Sequence, residues 1–237
     1  MNKKLLIFKR KKTKKIFEDR FEEVLTTAKE SELRCLNGKR WGGNAVLIVV
    51  DAALDSIGLK YFQIVVPRVK RFYSDFVETG EIRSFNAFSK LSAEDARLRG
   101  IMNNRRVWHA AIGISRVLDN LKETKDFGTD FDALRYWAEH ANHKEWEKDE
   151  IGKVHGVGLI TFQYLRMQAG VDTSMPDKII KRVVERELGV HANDDLRFIE
   201  EMERLSKEIG YSQILICWAI WLRESDTDKG KGEWEGL

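Results

Sequence analysis

Proline is nearly absent from this chain: among 237 residues it occurs only at Pro67 and Pro176. Proline lacks an amide proton and its ring breaks a helix interior, so its scarcity leaves long stretches free to stay helical. The apolar residues are spaced to use that freedom. Phe17, Phe21, Val24, Leu25 and Ala28 recur at helical intervals through 16–29, and Val107, Ala110, Ala111, Ile114, Val117, Leu118 and Leu121 form one stripe through 107–121. Gly42-Gly43 interrupts the chain, and Asn44 offers a cap for an apolar helix over 45–57 that ends at Gly58. The segment 62–76 contains Ile64-Val65-Val66, β-branched enough for a strand, but no similar run nearby could pair with it, so a helix is expected. Ser92 to Asp95 has the capping-box pattern for a helix reaching Met102, and Asp130 is the expected cap of 131–141. Further helices are expected at 145–154, 159–169, 177–188, 194–209 and 211–223. The fold that follows is all-α, with two packed helical lobes built from both ends of the chain.

Charge divides the chain into three. Residues 1–20 hold nine Lys/Arg against Glu18 and Asp19, a surplus of seven within a total of +3, so the rest is near −4. A basic arm and helix over 1–40 suits contact with phosphates or, as readily, a solvated terminus. The helical domain is expected over 41–225, and a charged, Gly-rich flexible tail over 226–237. No apolar run approaches the roughly 20 residues that span a bilayer, and the charged residues after Phe8 do not suit a cleaved signal peptide. Two cysteines, Cys35 and Cys217, are too few for a four-cysteine metal or iron–sulfur site and suit a reducing cytoplasm. No cofactor and no metal is expected; His140 and His143 lack a convincing third ligand.

The stretch Val154-His155-Gly156-Val157-Gly158-Leu159-Ile160-Thr161 carries the chemistry. A tight turn between helices suits glycine, and bare backbone N–H groups at Gly156, Val157 and Gly158 would let a phosphate approach the start of the following helix. Such contacts hold a nucleic-acid backbone and read no sequence. A lone Gly-Val-Gly is no more than an ordinary turn. Here it is followed, 19 residues after Gly158, by Asp177 at the start of Asp177-Lys178-Ile179-Ile180-Lys181-Arg182.

This arrangement resembles the helix-hairpin-helix DNA glycosylase superfamily, which includes endonuclease III and 3-methyladenine DNA glycosylase. The resemblance covers about 145–189, and Met175-Pro176-Asp177 with Ile180-Lys181-Arg182 is most similar to the alkylated-base branch. It implies a two-lobed glycosylase-like fold that binds damaged double-stranded DNA, with Asp177 as the catalytic carboxylate. An ionised carboxylate beneath a sugar stabilises the positive charge that develops as the base leaves, or deprotonates a water. Bifunctional members carry a lysine two residues after the second glycine; here Ile160 stands there, so the resemblance implies a monofunctional enzyme. Lys153, Lys178 and Arg182 would extend the phosphate-binding face, and Trp41 and Tyr164 are candidates to line the base pocket. Arg166 lies on the same segments. The expected setting is the cytoplasm, on the nucleoid. A non-enzymatic DNA-binding protein that uses Asp177 only as a helix cap is the alternative, and a scaffold on the same fold a third.

Overall fold

The computed structural model describes the backbone of residues 3–224 and side chains of residues 11–224; the expected tail, 226–237, lies outside the described residues. Among the described residues eleven α-helices run in order: α1 Lys3–Leu36, α2 Ala45–Asp55, α3 Val66–Phe72, α4 Phe85–Ser89, α5 Ala96–Ile101, α6 Arg105–Lys125, α7 Asp130–His140, α8 Leu159–Gln168, α9 Lys178–Leu188, α10 Asp195–Ile209 and α11 Gln213–Glu224. No strand occurs among the described residues, and none of their helices is long and apolar enough to cross a membrane. The fold is all-α.

The middle of the chain packs around α6, which meets α4, α2 and α7. The two ends come together where α1 lies along α11 and also meets α9 and α10. Helix α2 links these groups within one hydrophobic core, touching both α6 and α8. Its sequence explains this. Every residue from Ala45 to Leu54 is buried, so the helix has no solvent face to give up and suits the centre of the protein. Asn44 caps it, its side chain accepting from the Leu47 amide at 3.1 Å.

Pro67 sits in the first turn of α3, where its missing N–H costs little, and wide helical turns at Tyr61–Val65 and Tyr73–Val77 continue the helix on both sides. Three boundaries differ from expectation. Ser92 caps no helix: its hydroxyl accepts from Glu94 N, and Asp95 caps α5 through Arg97 N. Thr129, not Asp130, caps α7 in a reciprocal box with Asp132, which frees Asp130 to accept from Phe85 N and Lys122 Nζ. Helix α4, opened by Ser84, was not expected at all.

The largest difference lies before the hairpin. The helix expected over 145–154 is a 3₁₀ turn, His143–Lys148, followed by irregular turns. The Asp149 carboxylate accepts from Ile151 N at 2.8 Å, and also from the Trp137 indole at 3.0 Å. A side chain that takes a nearby amide competes with the helical ladder, so the first arm winds as successive turns anchored on α7. Ile151 is fully buried and keeps that arm seated in the core.

Candidate functional site

The hairpin rests on the start of α6. Gly156 has φ +98°, and a Cβ there would stand 2.9 Å from the Arg106 carbonyl oxygen and 3.2 Å from Ala110 Cβ. Glycine is required there by close packing and by its backbone angle. Gly158 is different: its φ of −122° suits any residue, and nothing lies within 4 Å of where its Cβ would be. It occupies the cap position of α8 with no side-chain cap. With no side chain capping it, the first turn of α8 is the kind of helix start at which an anion can bind.

Beside the hairpin opens a cleft of about 880 Å³, bounded by the segment after α2, the first residue of α8 past its start, and the facing ends of α9 and α11. Asp177, Lys178 and Ile160 line it, as do Tyr61, Phe62 and Trp221. Asp177 is the N-cap of α9: its Oδ1 accepts from Ile180 N at 2.7 Å and its Oδ2 from the Trp221 indole at 2.7 Å. Burial raises its pKa above the usual carboxylate value, while the Ile180 amide, the Trp221 indole and Lys181 pull it back. It is held at the positive end of a helix by two donors, which offset part of the cost that burial places on its ionised form.

A second carboxyl shares the cleft. Asp55 closes α2 and lines the cavity, yet its side chain makes no hydrogen bond and no ion pair with any described residue. Burial, then the negative charges of Asp51 and Asp177, push its pKa well above the carboxylate range, and no neighbour lowers it. Its position at a helix C-terminus adds in the same direction, because the unpaired carbonyls there repel an anion.

Behind the cleft, Asp51 is fully buried one turn before Asp55 and accepts from Arg40 Nη2 at 3.1 Å, Trp41 Nε1 at 2.6 Å and the Tyr61 hydroxyl at 2.9 Å. Arg40 also reaches the Tyr61 oxygen at 2.6 Å. This buried group grips the hydroxyl of Tyr61 and leaves its ring as cleft wall. Trp41 therefore does not line the cavity; it is 5% exposed and spent on Asp51. Nor does Tyr164, 1% exposed, whose ring stands behind the wall at 6.4 Å from Tyr61 and 5.5 Å from Trp221. Trp221, on an apolar stripe that reads as core, is the indole that reaches the cleft.

The expected phosphate contacts separate into two kinds. Lys153 pairs with Glu150 at 2.6 Å and Arg182 with Glu224 at 3.2 Å, so both already face a carboxylate. Lys178 is exposed at the cleft and makes no ion pair among the described residues, and the same holds for Lys60 and Arg106, which the sequence did not single out. The Arg105-Arg106 doublet at the start of an amphipathic helix was the available signal. Arg166 turns inward instead, donating to the Ala138 carbonyl and to Gln163. His140 Nδ1 lies 2.8 Å from the Tyr136 carbonyl, and no group of three or more His, Cys, Asp or Glu among the described residues could share a metal ion. Cys35 and Cys217 are both buried.

Fold and site define an all-helical protein with a large aromatic-walled cleft, three carboxyl residues lining it (Asp55, Asp177 and Glu224) and, at its rim, cations that pair with no described residue. The chain belongs to the family described as Domain of unknown function (DUF8548), whose model matches residues 20–225. No curated protein and no solved structure matches it.

Proposed function

We propose that the protein binds damaged duplex DNA and hydrolyses a base from its sugar as a monofunctional DNA N-glycosylase, with Asp177 as the carboxylate beneath the reacting sugar. One observation carries the reading: the aspartate that opens α9 faces a cleft of about 880 Å³ beside a hairpin whose following helix has no side-chain cap. A nucleotide turned out of the duplex needs a cavity of this kind, with aromatic faces to stack on, and Tyr61, Phe62 and Trp221 supply them. The rim cations Lys60, Arg106 and Lys178 suit the phosphates on either side of the flipped nucleotide. As the bond from C1′ to the base nitrogen breaks, its electron pair leaves with the base and positive charge grows on the sugar; the Asp177 carboxylate stabilises that charge until water adds. Ile160 stands where an imine-forming lysine would, and the cleft's own lysines, Lys60 and Lys178, serve the phosphates, so the strand is left with an abasic site. An enzyme of this kind works on the nucleoid, in the cytoplasm.

A second reading has its own observation. Both oxygens of Asp177 already hold donors, Ile180 N and Trp221 Nε1, as they would in a DNA-binding protein that uses the residue only to cap α9. The two readings divide on one experiment. The protein is incubated with duplexes carrying alkylated, oxidised or deaminated bases, and hot alkali then reveals abasic sites. Alkali-dependent cleavage that Asp177→Asn abolishes is expected; salt-sensitive binding with no cleavage of any duplex would leave the capping reading.

A further inference from the structure

The molecule contains a carboxyl that the chemistry of Asp177 leaves without a task. Asp55 caps nothing, since it lies at the C-terminal end of α2, and it pairs with nothing among the described residues. A half-buried carboxyl with no structural partner is a cost to the fold, and such groups persist where a site needs them. Its position supplies the need: it opens into the same cleft as Asp177, Tyr61 and Trp221.

The two carboxyls sit at opposite electrical poles. Asp177 stands at a helix N-terminus with two hydrogen-bond donors, Asp55 at a helix C-terminus with none. Asp51 lies one turn behind Asp55 on its own helix and is neutralised only in part by Arg40, and Asp177 faces it across the cavity. The other ionisable groups of the cleft are Lys60 and Tyr61 after α2, Arg106 on α6, Lys178 on α9 and Glu224 on α11, and Tyr164 on α8 stands behind it. None of the cations forms an ion pair with Asp55. Burial raises both pKa values, and Asp55, with no donor to offset it, is raised further than Asp177; of two such carboxyls the one that holds its proton more tightly is the acid and the other its partner base.

We infer that Asp55 is the general acid of this cleft, that it protonates the departing base, and that the substrate is consequently a base that is uncharged before it leaves. The inference rests on the glycosylase reading and extends it to a substrate class. A base already cationic through alkylation needs no proton to depart. A neutral deaminated or oxidised base leaves as an anion unless an acid meets it. The step balances simply: the C1′–N bond breaks with its electrons on the base, the Asp55 O–H gives the base its proton, water adds to C1′, and the proton that water sheds returns to the Asp55 carboxylate through solvent or Asp177. The net change is one water consumed, with free base and a sugar hydroxyl formed.

The test compares two kinds of duplex, one set carrying neutral lesions (uracil, hypoxanthine) and one carrying 7-methylguanine, under single-turnover conditions over about pH 5 to 9. Wild type, Asp55→Asn and Asp177→Asn are run in parallel, with duplex binding and thermal midpoint measured for each. The expected result is excision of a neutral base whose rate falls as pH rises. Asp55→Asn should slow it by roughly 100-fold or more and flatten that pH limb while binding is kept. Excision of 7-methylguanine alone, abolished in Asp177→Asn and untouched in Asp55→Asn, would overturn this inference and leave the glycosylase reading standing. No excision by wild type would overturn both. Independently of any activity, a ¹³C-carboxyl titration that finds Asp55 ionising in the ordinary carboxylate range would also overturn it.

Discussion

The two helix ends that face each other across the cleft are built on opposite principles. The start of α9 is a satisfied structure: Asp177 caps the helix, the Trp221 indole locks its second oxygen, and Lys181 lies one turn on. The end of α2 is an unsatisfied one: Asp55 points a carboxyl into the same space with no donor and with two other carboxyls acting on it. Order on one side fixes a carboxyl in place and partly offsets its burial. Want of partners on the other leaves burial unopposed. The contrast shows why a cavity is more informative than a motif, since only the cavity brings the two together.

That contrast can be broken at several points, and the largest effect is expected at Asp177. Asp177→Asn keeps one oxygen to accept from Ile180 N but turns an amide NH2 toward the Trp221 indole, so the cap should survive and stability should fall by about 1 kcal/mol for the lost hydrogen bond. Excision should nevertheless fall by roughly 10²–10³-fold, the usual effect of removing one electrostatic stabiliser. Single-turnover rates and a melting curve on the same sample separate these effects. Equal losses in both would return Asp177 to a purely structural role.

Next in size comes the hairpin. Gly156→Ala forces a Cβ against the Arg106 carbonyl at a positive φ, and should destabilise the protein by about 1–3 kcal/mol in a denaturant titration. Gly158→Ala meets open space at an ordinary φ and should leave stability within about 0.5 kcal/mol. Its added methyl should be felt only in DNA affinity. A Gly158→Ala protein that melts early but binds normally would show that the hairpin does not hold a phosphate.

Asp55→Asn tests the other helix end, through stability and its pH dependence. The carboxyl binds its proton more tightly in the folded than in the unfolded chain. Its contribution is therefore most favourable at low pH and declines as pH rises above the usual carboxylate range. Removing it should raise the thermal midpoint near neutrality by at least about 2–4 °C, the shift that accompanies roughly 1 kcal/mol at this size. The gain should shrink toward acid. A midpoint that falls at neutral pH would mean that Asp55 has a partner after all. The smallest effect is expected at the rim: Arg106→Ala or Lys178→Ala should weaken DNA binding and reduce the salt slope by about 0.9 for each phosphate left without its cation.

How much of this was legible in the sequence depended on periodicity. Helices with one apolar face, such as α6 and α10, read clearly, and so did the capped start of α9. The first hairpin arm did not, because Asp149 takes the Ile151 amide and anchors on Trp137, 12 residues away and beyond the reach of any local pattern. Asp177 was found because a motif marked it. Asp55 was not, although two acids in the apolar run Ala45–Asp55 were a signal in plain view. A helix buried all round has no preferred face, so its spacing cannot say which acid meets a cavity and which, like Asp51, meets an arginine. Residue type pointed to Trp41 and Tyr164, and the cleft is instead lined by Tyr61, Phe62 and Trp221.

The most direct test of the central claim needs no knowledge of the lesion. Affinity is measured for two duplexes alike except at one position, where one carries a neutral abasic-site analogue and the other a cationic pyrrolidine in place of the sugar. If Asp177 stabilises positive charge at the reacting sugar, wild type should bind the cationic duplex at least about 100-fold more tightly, as a partial transition-state mimic. Asp177→Asn should lose that preference while binding the neutral duplex as before. Equal affinity of wild type for the two duplexes would contradict the account.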